Sequence, residues 1–220
     1  MTRVLESKDL QKMVTKNSHE FPELNAALIA SAAIWGLKSS EMSLIEIGDI
    51  LTSKNKLKRK WILRKEVSHN GFSREIYTEH ESLVKYLNNY LNWRVIQQHH
   101  VTNIGEFKSL DPVSKLFLTG RGKPFSFSRR DSSDVLNMQP TGLNSYFKKL
   151  IVNSGIDGFT YKDFRNSLAI VMFREGCRIT GVKKDIMVYL GIRSYDSLMR
   201  TLSADPKTIH EMLKGIHKRI

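Results

Sequence analysis

The sequence contains a single cysteine, Cys177, among its 220 residues. One thiol excludes an intramolecular disulfide and a cysteine-rich zinc site, and such cysteine usage is typical of a reducing compartment. The chain also lacks a run of about 18 apolar residues that would cross a membrane. Its N-terminus, MTRVLESKDLQKMV, has no hydrophobic segment of the signal-peptide type. We therefore expect a cytoplasmic protein with no membrane partner, no bound metal and no small-molecule cofactor.

Acidic residues are in the minority. The chain has 22 Asp and Glu against 35 Lys and Arg, so its net charge is +13 and its pI is near 9.8. A field of this sign concentrates polyanions at the surface, which favours nucleic acid as a partner and a nucleoid-associated location. Ordinary solubility is the alternative explanation. A hydrophobic content of 40% is sufficient for a packed core.

The periodicity predicts helices, then a small antiparallel sheet, then more helices. A largely buried helix precedes Gly36, and a short helix follows from about Ser40 to Leu44 or Ile47. KRKWILRKEV and REIYTE read as two strands joined by an Asn-Gly turn, and HESLVKYLNNYLNWRVIQQ reads as an amphipathic helix. Ser7 is a plausible cap of the first helix. The predicted fold class is α+β, mostly α, in one domain over residues 1–220.

Three segments carry a more specific pattern. They are AAIWGLKSSEMSLIEIGDI (32–50), TYKDFRNSLAIVMFREG (160–176) and VYLGIRSYDSLMRTL (188–202), with the predicted hairpin between the first and the second. In this order they resemble the catalytic domain of tyrosine recombinases, the phage-integrase family. The first resembles its Gly-Leu-Arg segment followed by Glu, the second its Thr-x-His-x-x-Arg helix, and the third its Leu-Gly-His segment. The similarity spans roughly residues 5–213.

The resemblance implies a particular chemistry. In that family a tyrosine attacks a backbone phosphodiester and holds the DNA covalently. Two arginines stabilise the charge that develops on the phosphoryl oxygens, a hairpin lysine protonates the leaving oxygen, and a His or Lys assists proton transfer. Carried onto this sequence, the six family positions fall on Lys38, His69, Lys162, Arg165, Ile192 and Thr201.

Only Arg165 matches the family pattern strictly. Lys38 retains the charge of the first arginine but not its planar fork, and Ile192 cannot donate a proton. Thr201 stands where the tyrosine is expected, and its alkanol-like hydroxyl leaves poorly from phosphate. We therefore expect a recombinase-type fold without a working cleavage site. Tyr195 is the alternative nucleophile, although its spacing from Leu198, Met199 and Leu202 predicts a place in the core.

Several of the singled-out cations have simpler interpretations. Arg165 either binds a DNA phosphate or pairs with a neighbouring carboxylate such as Asp163 or Asp49. Lys38 can serve as a cation at a helix terminus, and Lys162 can form a solvated pair with Asp163. The pair His99-His100 has no ligand spacing and is not expected to bind metal.

The candidate DNA-binding residues are the basic ones of these segments, of the hairpin and of the loop RGKPFSFSRR. They are Arg165, Lys162, Lys38, Arg74, Arg121, Lys123, Arg129, Arg130, Lys183, Lys184, Arg193 and Arg200. The segment ITGVKKDIMVYLGIRSYDSLMR also suggests a helix-turn-helix, with Lys183 and Lys184 on its first helix and Arg193 and Arg200 on its second.

The resemblance also implies an organisation. Recombinases usually carry a separate N-terminal domain that closes a clamp around DNA, and we expect none here. The amphipathic C-terminal helix, about 206–220, is the candidate for contact with another subunit. The predicted function is binding of double-stranded DNA without cleavage, in an accessory, architectural or regulatory role within a mobile element, plasmid or phage. The expected protein partner is a second copy or an intact recombinase. The alternatives are an active divergent recombinase that uses Tyr195 or Thr201, and a protein-interaction module that does not bind DNA.

Overall fold

Helices make up most of the chain that the computed structural model describes, which is residues 4–129, 138–176 and 179–203. The predicted α+β, mostly α class is confirmed. The helices are α1 Ser7–Lys16, α2 Pro22–Trp35, α3 Ser39–Leu44, α4 Ile47–Ile50, α5 Glu81–Ile96, α6 Thr141–Asn153, α7 Tyr161–Gly176, α8 Val182–Leu190 and α9 Tyr195–Ser203, with a 3₁₀ turn at Phe107–Ser109. The strands are β1 Lys60–Leu63, β2 Arg74–Tyr77, β3 Ser128–Arg129 and β4 Met138–Gln139.

Helix α2 is the central element, and it forms as the sequence predicts. Pro22 occupies its first turn, where a missing N–H costs nothing, and most of its remaining residues are buried. Gly36 ends the helix with φ +58°, and a Cβ at this position would lie 2.6 Å from the side chain of Leu190. Only glycine tolerates both conditions. The close approach brings the chain after α2, including Lys38, beside the C-terminal end of α8.

Strands β1 and β2 form the predicted antiparallel hairpin. Trp61 pairs with Ile76 and Leu63 pairs with Arg74, and all four side chains face inward. The connecting loop, 64–73, contains the predicted Asn-Gly pair, and Gly71 has φ +72°. The hairpin therefore presents one arginine to the interior and a loop to the C-terminal helices.

Two apolar clusters hold the fold together. The larger one contains residues of helices α1 through α6, of the hairpin and of the start of α7, and it includes Trp35, Trp61, Tyr90 and Phe147. The smaller one lies among α7, α8 and α9 and consists of Ala169, Ile170, Phe173, Ile186, Leu190, Leu198 and Leu202. The candidate site lies where the C-terminal end of α8, from the smaller cluster, meets α2 and the hairpin.

Three local predictions need correction or fall outside the described residues. Ser7 is the first residue of α1 rather than its cap, because the backbone of Glu6 is still extended (φ −98°, ψ 164°). Arg193 lies in the turn before α9, not on a second helix of a helix-turn-helix. Arg130, Cys177 and the predicted C-terminal helix 206–220 lie outside the described residues. No helix in the described part is long and apolar enough to cross a membrane.

Candidate functional site

Arg165, the residue that matches the recombinase pattern strictly, joins the ends of two helices. It lies on α7, half-buried. Its Nη1 donates to the carbonyl of Gly36 at 2.9 Å, and its Nη2 donates to the carbonyl of Leu190. These carbonyls lie at the C-terminal ends of α2 and α8, where a cation is favoured by the helix dipole. Part of the donor capacity of Arg165 is thus used to hold the fold.

The alternative in which Arg165 pairs with Asp163 or Asp49 is wrong. Asp163 accepts hydrogen bonds from the backbone N–H and the hydroxyl of Thr160, at 2.9 and 2.6 Å. Asp49 lies 2.8 Å from Nε of Arg64 in an ion pair. Asp163 thus binds Thr160 at the start of α7, and Asp49 pairs with Arg64 in the hairpin loop. The solvated pair of Lys162 with Asp163 does not form either, and Lys162 is exposed.

Beneath Arg165 lies a buried ion pair between Glu41 and Arg74. Two hydrogen bonds, at 2.9 and 2.7 Å, join the guanidinium to the carboxylate, and the side chains are 2% and 5% exposed. Burial opposes ionisation of Glu41, yet the bonds from Arg74 outweigh it, so the pKa of this carboxyl lies below its ordinary value. Nε of Arg74 also donates to the carbonyl of Tyr189. Arg74 is thus committed inside the fold.

The carboxylate of Glu41 also organises the backbone around it. It accepts from the N–H of Lys38 at 2.9 Å and from the N–H of His69 at 3.0 Å. Because α3 and the hairpin loop both attach to this one group, the side chains of Lys38 and His69 are brought to the same place. With two backbone donors and Arg74 bound, Glu41 has little capacity left for these side chains.

Lys38 lies among other positive charges. Its pKa is lowered, first by burial and then by repulsion from Arg165, with smaller contributions from Arg74 and Arg193, while Glu41 acts in the opposite direction. Burial lowers the pKa of Arg165 to about 10, and Arg74 adds to this shift while Glu41 opposes it. Repulsion therefore outweighs the buried carboxylate at Lys38, whereas at Arg165 attraction to Glu41 is the larger charge effect.

His69 completes the group. Its imidazole is exposed, and its pKa lies below the ordinary 6.5 because of partial burial first and repulsion from Lys38 second, with Arg165 and Arg193 acting the same way. We call Lys38, Arg165, Arg193 and His69 the cation cluster, in which His69 becomes a cation when a bound anion raises its pKa. A bound phosphate would relieve its internal repulsion and accept hydrogen bonds from lysine and arginine.

Arg193 enters the cluster through a tertiary contact. Its guanidinium donates to the backbone carbonyl of Asn70 and lies 5.6 Å from the ring centre of Phe72. The amide of Asn70 in turn donates to the carbonyl of Gly191 at 3.3 Å. The hairpin loop and the turn between α8 and α9 are thus tied to each other from both sides.

Ile192 and Thr201 are the residues predicted to stand where the family has its proton donor and its nucleophile. Ile192 is partly buried against the α7–α9 cluster. The hydroxyl of Thr201 donates to the carbonyl of Ser197 at 3.1 Å, one turn earlier in α9. Neither arrangement activates a nucleophile, because threonine needs an adjacent base.

The prediction that Tyr195 lies in the core is wrong. Its side chain is 51% exposed, whereas Leu198 and Leu202 are fully buried. Tyr195 is the first residue of α9, so it projects beyond the start of the buried stripe. Its hydroxyl lies 3.3 Å from Nζ of Lys183, which also lies 5.8 Å from the centre of its ring.

The remaining candidate cations do not converge on the cluster. Arg121 and Lys123 are exposed in a loop beside Gly120, which packs on the ring of Phe21 at the N-terminal end of α2. The 14 residues of α2 place that end about 20 Å from Gly36. Exposed positions outside the cluster also include Lys184 and Arg200. Arg129 lies in β3, and its side chain is outside the described part.

No group of three metal-ligating side chains occurs among the described residues. His99 packs edge-on against Trp93, with ring centres 5.1 Å apart, and Nε2 of His100 lies 3.1 Å from the carbonyl of Gly122. In the loop with Arg121, Phe125 is buried against Tyr146, which explains its presence without a ligand.

Sequence reasoning missed Glu41 as the organising carboxylate, and it missed Asn70 and Phe72. A signal for Glu41 was available, since it stands three residues after Lys38, at the position from which an acidic side chain caps a helix. No local signal identifies Asn70 and Phe72, because their contacts with Gly191 and Arg193 join segments far apart in the chain.

No protein-family model matches the chain, and no curated protein matches it. Solved structures do match. The chain has the fold of the tyrosine-recombinase catalytic domain, as the three sequence segments predict. The XerA recombinase aligns with 98% of the chain at a TM-score of 0.68 and 18% identity.

Two structures in complex with DNA show the same likeness. XerH, bound to palindromic difH substrate, aligns with 96% of the chain at a TM-score of 0.60 and 14% identity. The Tn1549 transposon integrase, in complex with transposon right-end DNA, aligns with 99% at a TM-score of 0.59 and 14% identity. The chain spans 65% of the XerA chain, 52% of the XerH chain and 67% of the Tn1549 chain.

Proposed function

We propose that this protein binds double-stranded DNA through the cation cluster and does not cleave it. The observation that carries the proposal is the convergence of Lys38, His69 and Arg165 around a carboxylate that is already bound to Arg74, with Arg193 close to Lys38 and His69. Such an excess of positive charge suits a phosphate, and the net charge of +13 suits a polyanion. The role is accessory, architectural or regulatory in recombination of a mobile element, plasmid or phage.

The residues at the two reactive positions support binding without cleavage. Ile192 has no proton to transfer, and the hydroxyl of Thr201 donates to a backbone carbonyl. The DNA complexes of XerH and the Tn1549 integrase support the choice of DNA as the ligand. An intact recombinase or a second copy of this chain is the proposed protein partner, and a nucleoid-associated location follows from DNA binding.

The test is duplex binding across about 50 to 300 mM salt for wild type, Lys38→Ala and Arg193→Ala. Each variant removes one phosphate contact, so we expect weaker binding and a fall of about 1 in the slope of log affinity against log salt. Lys149→Ala is the matched control, because Lys149 pairs with Glu20 near the other end of α2. Equal losses in all three variants would show that only net charge matters, and would contradict the proposal.

Strand cleavage by Tyr195 is the second candidate function. The observation that favours it is the exposed side chain of Tyr195, whose hydroxyl lies 3.3 Å from Nζ of Lys183. A covalent protein–DNA adduct on a nicked suicide substrate, lost in Tyr195→Phe, would establish this activity and overturn binding without cleavage. An adduct lost only in Thr201→Val would assign the reaction to Thr201.

A protein-interaction module that does not bind DNA is the third candidate. If no duplex binds below about micromolar concentration at low salt, where phosphate-driven binding is strongest, the positive charge serves another purpose. The search for a ligand would then move to proteins.

A further inference from the structure

Next to the cation cluster is a cleft of about 320 Å³ between the hairpin loop and α8. Its apolar wall comes from Phe72, Met187, Val188 and Ile192, and Lys184 lies among the lining residues. Phe72 and Val188 are 66% and 61% exposed, and they line the same cleft. The cleft is thus an accessible apolar surface with a basic residue at its edge.

The cleft and the cation cluster share a wall. Asn70 lines the cleft, follows His69 in the chain, and accepts the hydrogen bond of Arg193. On the other side, Ile192 lines the cleft and precedes Arg193. A ligand with a negative group a few atoms away from a flat apolar group would place the first in the cation cluster and the second in the cleft. A nucleotide has this form.

The exposed ring of Phe72 is available to stack on a flat ligand group. The guanidinium of Arg193 lies 5.6 Å from the ring centre, and the same guanidinium is fixed by the carbonyl of Asn70. Exposed aromatic rings beside arginines are the usual platforms for unpaired bases, because every base has a π face that stacks without sequence preference. Among the described residues that line the cleft, none is acidic, and Lys184 adds a positive charge while Arg74 is paired with Glu41, which favours an anionic ligand.

We propose that the cleft beside Phe72 receives an unpaired nucleobase adjacent to the phosphate held by the cation cluster. A paired base in a continuous duplex presents only its edges in the grooves, so it cannot stack on a ring within a cleft. The preferred substrate class is therefore DNA with an extrahelical or unpaired base, such as a bulge, a gap or a branch point. This proposal rests on the proposed DNA-binding function.

The test compares two 30-base-pair duplexes of the same sequence, one perfect and one with a single bulged adenine, at about 100 mM salt. We expect wild type to bind the bulged duplex about 10-fold more tightly, the scale of one base stacked on an aromatic ring. Phe72→Ala should abolish this preference and leave the affinity for the perfect duplex within about 2-fold. Phe72→Trp should retain it.

Ile62→Ala is the matched control. Ile62 lies on the same hairpin and is 49% exposed, but it does not line the cleft. Its substitution should leave the preference for the bulge intact. A second measurement places 2-aminopurine at the bulge, where a fluorescence change on binding should occur with wild type and Ile62→Ala but not with Phe72→Ala.

The outcomes separate the two proposals. If wild type binds both duplexes equally and Lys38→Ala weakens both, the unpaired-base site is overturned while DNA binding stands. An equal loss for both duplexes in Phe72→Ala also overturns it, since Phe72 would then contact ordinary duplex. Self-association that depends on Phe72, without a preference for the bulge, would overturn it in favour of a protein interface. Binding to neither duplex would overturn the proposed function itself.

Discussion

Arg94 and Arg165 are both arginines that burial has removed from water, and both are held by backbone carbonyls. Arg94 is fully buried and donates to the carbonyls of Lys115, Leu116 and His99. Burial lowers its pKa, and no other cation adds to the shift. Arg165 is only half-buried, yet repulsion from Arg74 adds to the effect of burial.

The difference shows which feature marks a binding site. A desolvated arginine alone is explained by structure, because Arg94 joins the end of α5 to the segment 114–116 and has no other evident purpose. At Arg165 the same kind of bonding occurs, but Lys38 and His69 lie close to it, and Arg193 lies close to those two residues. The excess of cations, rather than the buried guanidinium, is the feature that a phosphate would satisfy.

The largest expected effect is on the free energy of unfolding and comes from substituting Arg94, the structural arginine of the pair. Arg94→Ala removes the donor to three buried or partly buried carbonyls and to the hydroxyl of Ser114, and it creates a cavity. We expect the free energy of unfolding to fall by about 5 kcal/mol, measured by urea denaturation. Arg121→Ala, at an exposed position, should change it by less than about 0.5 kcal/mol. A loss below about 1 kcal/mol for Arg94→Ala would mean that water replaces the guanidinium.

The second prediction changes the balance of charge within the candidate site. Glu41→Gln leaves the buried Arg74 without its counter-charge, so unfolding should become easier by about 3 kcal/mol. The same variant should bind DNA more tightly than wild type, because the cluster loses the negative charge of Glu41. The double variant Glu41→Gln/Arg74→Met should recover part of the stability. Weaker DNA binding by folded Glu41→Gln would contradict the account of the cluster.

The third prediction separates binding from folding. Lys38→Ala removes a cation that Arg165 and Arg193 repel, so the free energy of unfolding should stay within about 0.5 kcal/mol of wild type or rise. Its affinity for duplex DNA should nevertheless fall. Thermal unfolding and DNA titration on the same preparation check both parts. A marked loss of stability would mean that Lys38 serves the fold, as Arg94 does.

The smallest effect concerns pH. The pKa of His69 is below 6.5 in the free protein, and a bound phosphate would raise it, so DNA binding takes up a proton. Affinity should therefore rise as pH falls from about 7.5 to about 5.5, and His69→Gln should flatten this dependence. Without DNA the sign is opposite. The unfolded chain binds the proton more readily, so the contribution of His69 to stability is lost as pH falls below about 6.5.

Much of the fold could be predicted from the sequence, and less of the site. Gly36 as a helix end, the hairpin with its Asn-Gly turn, and the recombinase-type order of segments were all accessible. Tyr195 was assigned to the core because its spacing continues an apolar stripe. That assignment failed because periodicity does not show where a helix begins relative to its neighbours.

The sequence by itself determined the helices, the hairpin and the resemblance to recombinases, since each depends on residues close together in the chain. It also predicted which residues stand at the family's positions, including Ile192 and Thr201. Only the tertiary structure decided that Arg165 joins α2 to α8, that Glu41 neutralises Arg74, and that Phe72 faces a cleft. The physical reason is that hydrogen bonding and repulsion between charges depend on distances in space. For side chains far apart in the chain, these distances are fixed only when the helices and the hairpin pack together.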